Sequence, residues 1–172
     1  MAGLPPVWLL DVDGVINASR PGWNAVPWKG YAYENATEHK IRWAPQLIAR
    51  IYELHRASLV EIRWCSTWCA YADQLERLFR LPPLGRAFHD DVRGIAASIA
   101  KLAAVRQVLA ERRPLIWTDD DETPTAGPLY DELTAGGQAL LIRPRTGRGL
   151  RPQHLDAIEA FTRSHQGGVP HA

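Results

Sequence analysis

Five short apolar runs recur along the chain, each closed by turn-forming or polar residues. They are Val7–Asp11, Leu59–Ser66, a shorter one near Arg86–His89, Leu115–Asp119 and Gln138–Ile142. Runs this short and this apolar predict parallel strands buried on both faces. Between them, apolar residues recur at helical spacing. Leu47, Ile48, Ile51 and Leu54 follow Pro45, which suits a first-turn position. Ala72, Leu75, Leu78 and Phe79 lie in Cys69–Phe79, and Leu102, Val105, Val108 and Leu109 in Lys101–Arg112. Pro128–Thr134 is short, and Pro152–Arg163 carries Leu155, Ile158 and Phe161. Strands alternating with helices predict an α/β fold: a three-layer, doubly wound, Rossmann-like parallel sheet of about five strands with helices on both faces. In such a sheet the ligand sits at the carboxyl ends of the strands, near the point where strand order reverses.

The 172 residues fit one domain, 1–172, with a core large enough to be stable without staples. Twenty Lys and Arg stand against 19 Asp and Glu, which excludes a global basic field recruiting nucleic acid non-specifically. No charged segment followed by an apolar one opens the chain, and no apolar stretch reaches about 18 residues. A cytoplasmic protein without a membrane span is expected. Cys65 and Cys69 are then reduced thiols, and a lone C-x-x-x-C pair lacks the four ligands of a zinc site. Residues 1–6 and roughly 166–172 read as frayed ends.

One segment breaks the alternation. Residues 18–43 separate the first strand from the first helix by far more than the usual few residues. Trp23, Trp28, Tyr31, Tyr33 and Trp43 lie there, and Tyr31–Tyr33 pairs with Lys40–Trp43 as a hairpin. A flap over the site, placed after the first strand, is expected.

The chemistry concentrates at strand ends. Asp11-Val12-Asp13-Gly14-Val15 follows the apolar Val7–Leu10. Residues two apart on an extended chain point to one side, and Gly14 permits a close backbone approach. A hard cation such as Mg2+ takes oxygen ligands, usually one or two carboxylates plus substrate phosphate. One carboxylate can attack phosphorus while the other moves the proton. A second acidic cluster, Asp119-Asp120-Asp121, follows the apolar run to Thr118. Three adjacent carboxylates repel one another unless a cation or water intervenes. Ser66 and Thr67 end the second strand, where a hydroxyl can bind a phosphate oxygen or simply cap the next helix. Lys101 opens a helix leading to Asp119, and its ammonium can neutralise phosphate charge.

These four elements appear in the order characteristic of the haloacid dehalogenase-like (HAD) superfamily of phosphohydrolases, which the chain resembles over about residues 7–142. The Trp117–Asp121 and Ser66–Trp68 strings are also similar to those of small, poorly characterised bacterial members, some like domains assigned to RNA repair. The resemblance implies roles. Asp11 would be the nucleophile forming an aspartyl-phosphate, with its other oxygen on Mg2+. Asp13 would be the general acid/base, its backbone carbonyl on the metal. Asp119 and Asp120 would be metal ligands, Ser66 would hold phosphate with Thr67 and Gly14 beside it, and Lys101 would pair with Asp11 and the phosphate. Asp13 favours phosphoryl transfer over carbon–halogen cleavage. Neither motif interval holds a large cap domain, and capless members often accept bulky substrates.

A Mg2+-dependent phosphatase acting on a phosphomonoester is therefore expected, as a monomer or small homo-oligomer. Two alternatives stay open: a nucleic-acid end phosphatase, motivated by the aromatic flap and by Arg143, Arg145, Arg148 and Arg151, and a catalytically silent binding protein of the same fold. His89-Asp90-Asp91 reads as a loop rather than a metal site.

Overall fold

A computed structural model of the chain describes residues 4–166. Of the ends expected to fray, 1–6 and roughly 166–172, residues 1–3 and 167–172 lie outside the described residues. Pro5 and Pro6 are held by the Arg113 side chain and the Glu61 N–H on their carbonyls. A five-stranded parallel sheet forms the centre. Its strands are β1 (Val7–Leu10), β4 (Glu61–Trp64), β5 (Gly85–Arg86), β6 (Leu115–Thr118) and β7 (Ala139–Ile142), in the order β5-β4-β1-β6-β7. Between the first two strands lies an antiparallel hairpin, β2 (Trp28–Glu34) and β3 (Thr37–Trp43). The helices are α1 (Pro45–Arg56), α2 (Ala72–Phe79), α3 (Gly94–Ala110), α4 (Pro128–Thr134) and α5 (Pro152–Gln166).

The pleat of β1 explains the layering. Trp8 and Leu10 face one apolar cluster, filled by Leu47 and Ile51 of α1, Leu75 and Phe79 of α2, and Leu155 and Ile158 of α5. Val7 and Leu9 face the other, filled by Val105 and Val108 of α3 and Leu133 of α4. Every β1 side chain is thus buried, as the apolar run predicted. Full burial of each aliphatic contributes about 1.5–3 kcal/mol. The single polar handle on this strand, the Trp8 indole N–H, donates to Thr118 Oγ1 at 2.9 Å across the sheet. The chain leaves β1 toward β4 on one side and later returns to β6 on the other, so strand order reverses at the β1/β6 carboxyl ends.

Three expectations are corrected. Lys101 does not open its helix: α3 begins at Gly94, so Lys101 sits near its middle. Residues 94–100 are rich in alanine but leave Ile95 and Ile99 exposed, so helix propensity rather than amphipathic periodicity marks this turn. The third strand is Gly85–Arg86 rather than Arg86–His89, paired with Arg63 and Trp64. Cys69–Tyr71 is a separate 3-10 turn ahead of α2.

The hairpin is longer than expected and is packed rather than perched. Ala32, Ile41 and Trp43 join the core, and Trp43 meets Phe79 edge-on at 5.1 Å. Gln74 of α2 completes the β2 edge, accepting from the Tyr33 N–H at 2.9 Å and donating to its carbonyl at 2.8 Å. Of the aromatic residues in this segment, Trp43 is buried and Trp23 donates to the Leu150 carbonyl at 2.7 Å.

Candidate active site

Leu10 and Thr118 are partners in the β1/β6 ladder, so Asp11 and Asp119 leave the sheet side by side. The Asp11 N–H still donates to the Thr118 carbonyl at 3.1 Å, and the Asp119 N–H to Ile142 at 3.3 Å. Both carboxylates converge on Lys101. Its Nζ donates to Asp11 Oδ2 at 2.9 Å and to Asp119 Oδ2 at 2.6 Å. All three residues are buried, Asp119 completely. The remaining oxygens are also held. Asp11 Oδ1 accepts from the Val12 N–H at 2.7 Å, and Asp119 Oδ1 accepts from the N–H groups of Asp121 and Glu122 at 2.9 and 2.8 Å.

Two buried carboxylates share one ammonium, and the electrostatics divide unequally. Burial and the nearby Asp119 charge push the Asp11 carboxyl up to about 8, against the pull of Lys101. Burial also acts to raise Asp119, but Lys101 and the two backbone N–H groups outweigh it and hold its carboxyl below the usual range. Burial acts to lower Lys101, and the charges of Asp11 and Asp119 outweigh it in turn, so the ammonium is retained. Near neutrality this leaves Asp119 and the ammonium charged and Asp11 largely protonated, at the point where the strand order reverses.

Asp120 completes the cluster. Among the described residues, Asp11, Asp119 and Asp120 each offer a carboxylate oxygen within 4.8 Å of the others. Gly14 makes this approach possible: its φ is +70°, and a Cβ there would collide with the Asp120 carboxylate. Arg143 braces the acidic loop from behind, its Nε donating to the Asp120 carbonyl at 2.9 Å. Asp121 points outward, its side chain 86% exposed. An all-oxygen donor set around a space free of any Cβ suits a hard divalent cation.

Asp13 stands apart from this trio. Its Oδ1 accepts from Asn17 Nδ2 at 2.7 Å and its Oδ2 from Trp68 Nε1 at 2.9 Å. Asn17 in turn accepts from the Arg42 N–H at 2.9 Å, which ties the Asp13 turn to the hairpin. Ser66 ends β4 beside β1, where the neighbouring Cys65 N–H donates to the Leu10 carbonyl. Its Oγ accepts from the Trp68 N–H at 3.3 Å, a local turn contact rather than a helix cap, since Trp68 itself stands at the cap of the 3-10 turn. Among the described residues, neither Ser66 nor Thr67 hydrogen-bonds to the carboxylates. Cys65 and Cys69 are free and buried, and burial pushes both thiols up, so neither is a thiolate.

Other sequence candidates serve as structure. Asp91 pairs with Arg93 at 3.0 Å and accepts from the Tyr71 hydroxyl at 2.8 Å. Arg151 covers Gly22 with its aliphatic stem, while Arg145 and Arg148 are exposed.

A cleft of about 410 Å³ opens against Asp13 and Gly14. Asn17, Ser19, Lys40, Arg42, Thr146 and Gly147 form its other walls. None of these wall residues, nor the Trp68 contact, follows from motif spacing. Asn17 and Ser19 follow Asp13 closely in the chain, whereas Lys40 and Arg42 come from the hairpin and Thr146 and Gly147 from the loop after β7, and only the fold brings those four to Asp13. No family model, curated protein or solved structure matches the chain. No helix among the described residues is long and apolar enough to cross a membrane.

Proposed function

We propose that this chain is a Mg2+-dependent phosphatase of the HAD superfamily that cleaves a phosphomonoester through an aspartyl-phosphate on Asp11. One observation carries the reading: Lys101 bridges the Asp11 and Asp119 carboxylates at the switch point of the sheet, with Asp120 within ligand reach and Asp13 two residues beyond the nucleophile. Asp11, Asp119 and Asp120 would hold Mg2+ by side-chain oxygens, with the Asp13 carbonyl as a further donor. The bound cation supplies positive charge that favours ionised Asp11 and offsets charge on the transferring group.

The chain's own residues do the rest. An Asp11 carboxylate oxygen attacks phosphorus, and the bond from phosphorus to the leaving oxygen breaks. Asp13 gives its proton to that oxygen. Water then attacks the phosphorus of the acyl phosphate, Asp13 takes a proton from it, and the bond to Asp11 breaks to release phosphate. Lys101 holds Asp11 in place and neutralises charge on the phosphoryl oxygens. Ser66, with Thr67 next to it, would donate its hydroxyl hydrogen to the same oxygens, since its contact with the Trp68 N–H uses the oxygen only as an acceptor.

The test is phosphate release from p-nitrophenyl phosphate, with Mg2+ and with a chelator. Turnover that requires Mg2+ and disappears in Asp11→Asn supports the reading. Turnover undiminished in Asp11→Asn contradicts it.

A further inference from the structure

The cleft beside Asp13 holds more positive charge than a single phosphoryl group needs. Lys40 and Arg42 both line it, two residues apart on β3 and therefore on one face of the hairpin. Arg42 stands directly opposite Lys29 in the ladder, and Lys40 opposite Tyr31. Like charges directly opposite one another cost stability in an antiparallel pair. Arg50, Arg63, Arg86, Arg93 and Arg113 meet carboxylates, whereas Arg145 and Arg148 face solvent without an ion pair among the described residues. Among the described residues neither Lys40 nor Arg42 forms an ion pair. The Arg42 guanidinium has one long contact, Nη1 to the Ser19 carbonyl at 3.5 Å, leaving its other donors toward the cleft.

The position of this charge is fixed. The Arg42 carbonyl accepts from the Ala18 N–H, and the Arg20 and Gly22 N–H groups donate to the Gly147 and Arg148 carbonyls. Hairpin, entry loop and the loop after β7 thus form a tied wall around the cleft. A cationic wall held in place at a cost to the hairpin marks a site built for an anion rather than for folding.

We infer that the leaving group of the substrate carries a second anionic group, such as a further phosphate, which Lys40 and Arg42 bind while the scissile phosphoryl group lies at Asp11. This rests on the phosphatase reading and adds a substrate class to it. Asp13, which protonates the leaving oxygen, lines the same cleft as Lys40 and Arg42.

The experiment compares kcat/KM, with Mg2+, for p-nitrophenyl phosphate, a nucleoside monophosphate, a nucleoside bisphosphate and a short single-stranded oligonucleotide with a terminal phosphate. The substrates with a second anion should be preferred about 10-fold or more, and that preference should shrink as salt is raised. In Lys40→Ala and Arg42→Ala the ratio of bisphosphate to p-nitrophenyl phosphate should collapse toward unity, chiefly through KM. Preference for the oligonucleotide alone assigns the second anion to a polymer, and preference for the bisphosphate alone assigns it to a small molecule; either supports the inference. Turnover of all four without preference, or a ratio unmoved in both variants, overturns this inference alone. Absence of Mg2+-dependent turnover on every substrate overturns the phosphatase reading and this inference with it.

Discussion

The indole N–H of Trp68 donates to Asp13 Oδ2 at 2.9 Å, from a side chain that is itself 1% exposed. Trp68 also meets His39 edge-on at 5.3 Å, so the ring is clamped between the hairpin and the Asp13 turn. With Asn17 on the other oxygen, Asp13 has little freedom to leave its place. Trp68→Phe keeps an aromatic body and removes the donor. Its kcat should fall by about 10-fold with KM little changed, since a group that orients the acid/base acts on the proton-transfer step. A fall confined to KM would place Trp68 in substrate binding instead.

Lys101 is the single cation between two buried carboxylates, and Lys101→Met should cost about 3–5 kcal/mol, as loss of one partner from a buried ion pair does. Denaturant titration checks this. Mg2+ should raise the Tm of this variant by more than that of the wild type, because a cation then offsets charge that Lys101 no longer meets. An equal shift in both would argue against cation binding at these carboxylates.

Gly14 and Gly136 form a controlled pair. Both have positive φ, but a Cβ at Gly14 would collide with Asp120, whereas one at Gly136 meets nothing within 4 Å. Each Gly→Ala change carries about 1–2 kcal/mol of backbone strain. Only Gly14→Ala should also weaken Mg2+ affinity, read by calorimetry, because only there must an acidic side chain move.

Glu61 of β4 pairs with Arg63 of the same strand at 2.7 Å and with Arg113, just ahead of β6, at 2.5 Å. Burial acts to raise its carboxyl, but the hydrogen bonds and charges of the two arginines outweigh it and hold it below its ordinary 4.5. A carboxyl lowered on folding stabilises the fold above the unfolded value and loses that contribution as pH falls through the folded one. Stability should therefore decline below about pH 4.5 by this route, modestly because the pair is partly solvated. Glu61→Gln should be less stable than wild type near neutrality, with the difference closing in acid.

The layered fold was legible because β1 and β6 are short runs buried at every position, which calls for cover on both faces of the sheet. The meeting of Asp11 and Asp119 was legible for the same reason, since strand ends in such a sheet converge, whereas Lys101 reaches them from the middle of α3 and was marked only by the order of the motifs. The start of α3 was not, because its first turns carry alanine and exposed isoleucine with no apolar stripe. Nor were the roles of Trp68, Lys40 and Arg42. Their partners lie far away in sequence, and hairpin docking through Gln74 and Trp43 brings them to Asp13. In the basic loop after β7, Arg143 supports the Asp120 carbonyl, a role that only the fold shows.

The most direct test of covalent phosphoryl transfer is chemical trapping at Asp11. Wild-type protein is mixed with p-nitrophenyl phosphate and Mg2+, quenched in acid and treated with borohydride, which reduces an aspartyl-phosphate to homoserine. Peptide mass spectrometry should find homoserine at position 11, dependent on both substrate and Mg2+. Steady phosphate release with position 11 unmodified, or homoserine at another aspartate, would contradict nucleophilic attack by Asp11.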